Sequence, residues 1–204
     1  MTLNNYEKTL LKAEQEFLSF NQDDIIKYAG IKYDNNYFYI SFCSSPYCVD
    51  RDTGKCLRIG EKGELFPAAY NEAMPIFDII CNPKPFRCLT GEFTDHSYFT
   101  ATPFADRGLY AREAELFACD LEGFKRACVS LKGTPFPGNA DAAYKIPLFD
   151  FFPVVLKVCL GEEGIAPVFT HLWDKAAMTY MTYESTYIAL THLLNCIKEL
   201  MKED

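Results

Sequence analysis

Apolar residues recur at three- and four-residue steps from the start of the chain. Leu3, Tyr6, Leu10, Ala13 and Phe17 form the stripe, and Leu11 and Leu18 widen it. That period predicts an amphipathic helix. Asn21, with Asp23 and Asp24 behind it, reads as the N-cap of a short second helix that Gly30 would close. From Gly30 the period falls to two. Phe38, Ile40 and Phe42 share one face, and Tyr37, Tyr39 and Ser41 the other. Asp34-Asn35-Asn36, Ser44-Ser45-Pro46 and Asp52-Thr53-Gly54 are turn signals at strand-length spacing. These predict an antiparallel meander over about residues 31–59.

A helix is expected from about Pro67 to Cys81, ended by Pro83 and Pro85. Residues 91–110 give mixed signals that fit a strand and a loop. Asp120 reads as the N-cap of a helix that buries Leu121, Phe124, Cys128 and Leu131 and stops before Gly133. A Gly-Pro-rich loop follows. The final helix is expected from about Tyr180 to Lys202, with Tyr183, Tyr187, Leu190, Leu194, Ile197 and Met201 as its seam and His192 near its solvated side.

The most apolar run, "KIPLFDFFPVVLKVCLGEEG" from Lys145 to Gly164, is too broken to span a membrane: Lys145, Asp150, Lys157 and Glu162 interrupt it, and Pro147 and Pro153 would break a helix. Val154, Leu156, Val158 and Leu160 line one face of a strand headed by Pro153, and Val155, Lys157 and Cys159 the other. Apolarity on both faces predicts a central strand. "GEEGI" then turns into a second strand, with Phe169, His171 and Trp173 on one face. The expectation is an α+β fold: a mainly antiparallel sheet, made of an N-terminal meander and a C-terminal hairpin, packed by N-terminal, middle and C-terminal helices. The 204 residues are expected to form a single domain, with residues 1–29 as a helical lead and 30–204 as the core.

Composition narrows the partners. A net charge of −8 with no run of Lys or Arg argues against nucleic acid and anionic membranes. No signal-peptide pattern heads the sequence and the nine cysteines are an odd count, so reduced thiols and a cytoplasmic location are expected. With 17 Phe and 13 Tyr, the chain has the rings to wall a concave apolar pocket as well as to fill a core.

Catalytic motifs are missing. Cys43, Cys48 and Cys56 are spaced five and eight apart, unlike a zinc ribbon or a ferredoxin, and no C-x-x-C occurs, so no metal site is expected. A Cys-His nucleophilic pair would need a closeness in space that sequence does not reveal. His171 between Phe169 and Trp173 is expected to be a satisfied, half-buried histidine, and Asp174 a helix N-cap. Lys157 is expected to snorkel. Tyr144, Lys145, His171, Asp174, Tyr183 and Glu184 remain as a loose constellation of a cation, aromatic rings and carboxylates that could grip a small polar ligand.

"AAYKIPLFDFFPVVLKVCLGEEGIAPVFTHLWD", followed by "YESTY", resembles a bacterial family catalogued as a domain of unknown function, number 3786. "LTGEF", "DRGLYAREAELF" and the "DRDTGK" turn sit where that family's pattern would place them. Some relatives carry the domain behind an iron-sulfur module like that of corrinoid iron-sulfur proteins. The resemblance therefore implies anaerobic corrinoid or one-carbon metabolism, with a corrinoid or iron-sulfur protein as a partner. No such cluster module occurs in these 204 residues. Three functions stay open: a cytoplasmic accessory domain that binds a small ligand or a partner, an enzyme using Asp174, Glu184 and Lys145 for acid-base work, and an interaction module without a ligand.

Overall fold

Asn4 and Glu7 start the first helix with a reciprocal cap. The Glu7 N–H donates to Asn4 Oδ1 at 2.9 Å, and the Asn4 N–H donates to Glu7 Oε2 at 2.7 Å. The computed structural model describes residues 4–81, 84–100 and 109–202. Two compact units divide the chain: residues 1–88 with 178–192, and residues 89–177 with 193–204. Leu3, Pro83 and the Asp106-Arg107-Gly108 part of "DRGLYAREAELF" lie outside the described residues.

In the first unit, α1 (Asn5–Phe17) buries a narrower stripe than its period predicts. Ala13 and Phe17 are buried, whereas Tyr6, Leu11 and Leu18 are exposed, because α1 turns only its Ala13–Phe17 side to the core. Asn21 caps α2 (Gln22–Tyr28) as expected, and Gly30 follows with φ +70°. The strands β1 (Lys32–Tyr33), β2 (Tyr37–Phe42), β3 (Ser45–Asp50), β4 (Cys56–Ile59) and β5 (Leu65–Pro67) pair antiparallel in the order β5-β4-β3-β2, with β1 also on β2. Phe38, Ile40 and Phe42 form the buried face.

Two boundaries differ from the sequence reading. The β2–β3 turn is Cys43-Ser44 rather than Ser44-Ser45-Pro46, so Ser45 and Pro46 belong to β3 opposite Phe42 and Ser41. A two-residue hairpin turn matches the strand twist when both its residues take positive φ, and these two do. The next helix does not begin at Pro67, which pairs with Leu57 at the end of β5. It is α3 (Tyr70–Cys81), and its start is set by Glu72, whose Oε2 accepts the Ala69 N–H at 2.6 Å. Arg87 donates to the Ile79 and Ala29 carbonyls at the ends of α3 and α2 and lies over the Tyr180 ring, 4.7 Å from its centre.

The second unit holds β6 (Phe93–Thr94), a 3-10 turn at His96–Phe99, α4 (Ala111–Cys119), α5 (Leu121–Ser130), β7 (Thr134–Pro135), β8 (Ala142–Phe149), β9 (Phe152–Cys159) and β10 (Val168–Asp174). Its strands run β8-β9-β10-β6, with β7 on β8, all antiparallel. The long apolar run is therefore two strands and the turn between them. Its first half belongs to β8, and Pro147 faces Pro153, two residues without an N–H, beside a register shift. β9 is the central strand: Val154, Val155, Leu156 and Val158 have no exposed surface. Leu160, expected on its inner face, lies past the strand end and is 41% exposed. Asp120 caps α5 through the Gly123 N–H, and α4 and α5 pack on β8, β9 and β10.

The last helix, α6 (Tyr183–Leu200), starts three residues later than expected because Thr182 caps it, Oγ1 accepting the Ser185 N–H. Residues up to His192 belong to the first unit and those from Leu193 to the second. The fold is α+β with a mainly antiparallel sheet arrangement. Among the described residues, no helix is long and apolar enough to cross a membrane.

Candidate functional site

The packing of α1 against α3 leaves a space in the first unit. Ala13 is too small to fill the gap that Phe77, Met74 and Tyr70 leave on the α3 side, and the start of α6 closes the far wall. The result is a cavity of about 370 Å³, within the range of small-molecule sites. Phe77, Ala13, Cys81 and Ser185 are its buried walls, while Glu16, Phe20 and Glu184 stand at an exposed rim. Burial pushes the Cys81 thiol up to about 12, so it is a neutral wall group.

Three carboxylates meet this space: Glu16 from α1, Asp78 from α3 and Glu184 from α6. Among the described residues, no Lys or Arg lines it. Lys12 reaches Glu16 along α1 at 3.3 Å, an exposed pair of small energetic weight. Asp78 Oδ2 accepts the Thr182 N–H, which holds α3 to the start of α6. Hydroxyls of Thr9, Thr182 and Ser185 complete the polar lining.

Of the residues singled out from sequence, Glu184 lines this cavity. Tyr183 beside it pairs hydroxyls with Tyr187 one turn on, at 2.9 Å. Tyr144, Lys145, His171 and Asp174 belong to the second unit. Tyr144 and His171 both face Leu156 across the register, so they share the face that α5 and α4 cover. Lys145 points to the opposite face and is exposed.

Asp174 is fully buried and holds a loop as well as its own turn. Its carboxylate accepts the N–H groups of Thr90, Gly91 and Ala176 at 2.7–3.0 Å and the Thr90 hydroxyl at 3.0 Å. Burial pushes its pKa up, but these donors outweigh that and hold it below the usual carboxylate range. The N-cap role expected of Asp174 is thus only part of its work, and the element it leads into is a 3-10 turn at Ala177–Thr179. His171 is not half-buried: it is 3% exposed, among Tyr110, Phe169, His96 and Trp173.

His192 is also displaced from its expected solvated side. It is half-buried, stacked on Phe42 at 4.9 Å between ring centres. Cys48 and Cys56 lie on β3 and β4, where burial pushes both thiols up, Cys48 to about 11. Both serve as small apolar fillers at ordinary pH.

Residues 21–195 match the family model described as "Domain of unknown function (DUF3786)". The chain belongs to this family. No curated protein and no solved structure matches it. The DUF3786 match runs from the N-cap of α2 into the last turns of α6 and takes in residues of both units. It includes Tyr70, Asp78, Thr182 and Glu184 of the cavity, whereas Thr9, Ala13, Glu16 and Phe20 precede it.

Glu16, Phe20, Tyr70 and Asp78 are site residues that the sequence reading did not single out. The one signal available was helical: Ala13, Glu16 and Phe20 recur at steps of three and four, next to the small residue that makes room.

Proposed function

We propose that this chain is a small-ligand-binding module, and that its ligand is an organic cation held in the cavity of the first unit. The observation that carries this reading is the lining: among the described residues, Glu16, Asp78 and Glu184 stand around a space walled by Tyr70, Phe77 and Phe20, with no basic residue in the lining. An ammonium group is attracted to carboxylates and to the faces of aromatic rings alike. A carboxylate or phosphate ligand would meet like charge. The cavity is smaller than a corrinoid macrocycle, so the corrinoid association implied by the family resemblance enters this reading only through a partner protein.

The test is a thermal-shift series with ethanolamine, choline and putrescine set against acetate and lactate. At a concentration about 100 times Kd, a ligand that binds only the folded state adds about 2.7 kcal/mol of stability. The ammonium compounds should raise Tm, and Glu184→Gln and Glu16→Gln should reduce that rise. A rise with the carboxylates instead, or one that both variants keep in full, rejects the reading.

A further inference from the structure

The β2–β3 turn uses two residues that rarely adopt its backbone. Cys43 has φ +48° and Ser44 φ +63°, where a turn of this kind favours Asn and Gly. Backbone held in such sparsely populated regions is costly and gathers at functional sites.

This turn brings the Cys43 sulfur to within 4.8 Å of a ring nitrogen of His192. The imidazole is held from two sides. Phe42 stacks on it at an interplanar angle of 26°, and the Asn71 side-chain amide lies 3.3 Å from its Nδ1. Pro75, lacking an N–H, returns no helical hydrogen bond to the Asn71 carbonyl, so Asn71 sits where the first turn of α3 is loosened. Ser44, the next residue of the turn, has a buried hydroxyl oxygen with no hydrogen-bond partner among the described residues. A buried hydroxyl left so is destabilising, and a guest's polar atom would relieve it.

We propose that Cys43 is an imidazole-activated thiol nucleophile, with His192 as its base, Asn71 as the residue that positions the ring by turning its amide oxygen to the Nδ1 proton so that Nε2 is left to accept, and Ser44 as a donor to the electrophile's oxygen. A thiol, an imidazole and a third group that orients the imidazole are the parts such a nucleophile needs, and apo geometry is often looser than the working one. Cys43 is 2% exposed and its imidazole partner is stacked on Phe42, so the site suits a small uncharged carbon electrophile. In the step, His192 takes the proton from the thiol and the sulfur electron pair forms a bond to carbon. The leaving group departs with the pair from the bond that breaks. This site is separate from the cavity and does not depend on the cation reading.

Iodoacetamide is the probe: the S–C bond forms, the C–I bond breaks and iodide leaves. The reduced full chain is alkylated for short times between pH 5 and pH 9, and each cysteine is followed by peptide mass spectrometry. At pH 6 Cys43 should react at least about tenfold faster than Cys119, an exposed thiol on α4. His192→Gln should remove that advantage. Asn71→Ala should reduce it and move the midpoint of the rate–pH curve upward, a change that a merely structural role would not produce. Cys43 reacting no faster than Cys119 in the wild-type chain overturns the proposal, as does an advantage kept in full by His192→Gln. Should His192→Gln not fold, the wild-type curve decides: a Cys43 midpoint below 8 supports the proposal, and one at or above the ordinary thiol value of about 8.5 overturns it.

Discussion

The indole N–H of Trp173 donates to Nδ1 of His171 at 3.0 Å, between two residues on the same face of β10. Because Nδ1 accepts, the proton of the neutral ring sits on Nε2. His96 stacks flat on the same indole, 5.7 Å between ring centres and 2° from parallel. Burial lowers the His171 pKa to about 3, with His96 adding to the effect, and burial lowers that of His96 to about 4.

These two imidazoles make the protein sensitive to acid. Both folded pKa values lie below the ordinary histidine value of about 6.5. Their contribution is thus fully present above pH 6.5 and is lost as pH falls towards 4 and then 3. Each can tilt stability by up to about 1.4 kcal/mol per pH unit across its window. Urea midpoints measured from pH 7 to pH 4.5 should fall, and His96→Phe, which keeps a ring on Trp173, should flatten the slope. A slope identical in that variant would remove His96 from the account.

Asp174 should be worth more as an acceptor than as a charge. Asp174→Ala strands the N–H groups of Thr90, Gly91 and Ala176, and a loss of about 3 kcal/mol in chemical denaturation is expected. Asp174→Asn keeps one oxygen and should lose less. Equal losses in the two variants would show that packing, not hydrogen bonding, sets the cost.

Tyr47→Phe isolates one buried bond in the first unit. The Tyr47 hydroxyl donates to Glu72 Oε1 at 2.8 Å, while the other carboxylate oxygen holds the start of α3. Removing the hydroxyl leaves a buried carboxylate oxygen short of a donor, at a cost of about 1–3 kcal/mol. A Tm unchanged within error would argue that water replaces the hydroxyl.

Gly54 and Gly30 separate strain from collision. Both have positive φ, +73° and +70°, but an added Cβ meets open space at Gly30 and the Glu14 carbonyl oxygen at 2.3 Å at Gly54. Gly30→Ala should cost about 1 kcal/mol, from the left-handed backbone alone. Gly54→Ala should cost clearly more, because α1 must move. Paired denaturation curves test this, and similar midpoints would mean that the turn yields without disturbing α1.

How much of this was legible in the sequence depended on whether one residue's neighbours carried the signal. β9 was readable because Val154 to Val158 is apolar on both faces, and α5 because Asp120, Phe124 and Cys128 mark its cap and stripe. α4 was missed: it buries only Ala114 and Phe117, too little for a period to emerge. The β2–β3 turn was misplaced because Cys43 and Ser44 are unusual at left-handed positions. Of the cavity's carboxylates, Glu184 alone stood out, since Glu16 and Asp78 gain meaning only when α1 packs on α3. The aromatic count allowed for a core or a pocket wall, without saying that Phe20, Tyr70 and Phe77 would line a cavity.

The first unit is assembled from two stretches of chain, residues 1–88 and 178–192. Its Asp78–Thr182 hydrogen bond joins residues 104 positions apart. Arg87 must likewise find Tyr180, and Asn71 must find His192. At about 5–20 residues per second, a ribosome leaves the meander and α3 waiting about 5–20 s for the residues that close the cavity wall. Throughout that interval Phe77 has Phe17 of α1 against it but lacks the wall that the start of α6 supplies, so part of its apolar surface stays open. Slowing synthesis through residues 89–177 should therefore lower the soluble fraction rather than raise it, as the ratio of soluble to total protein would show.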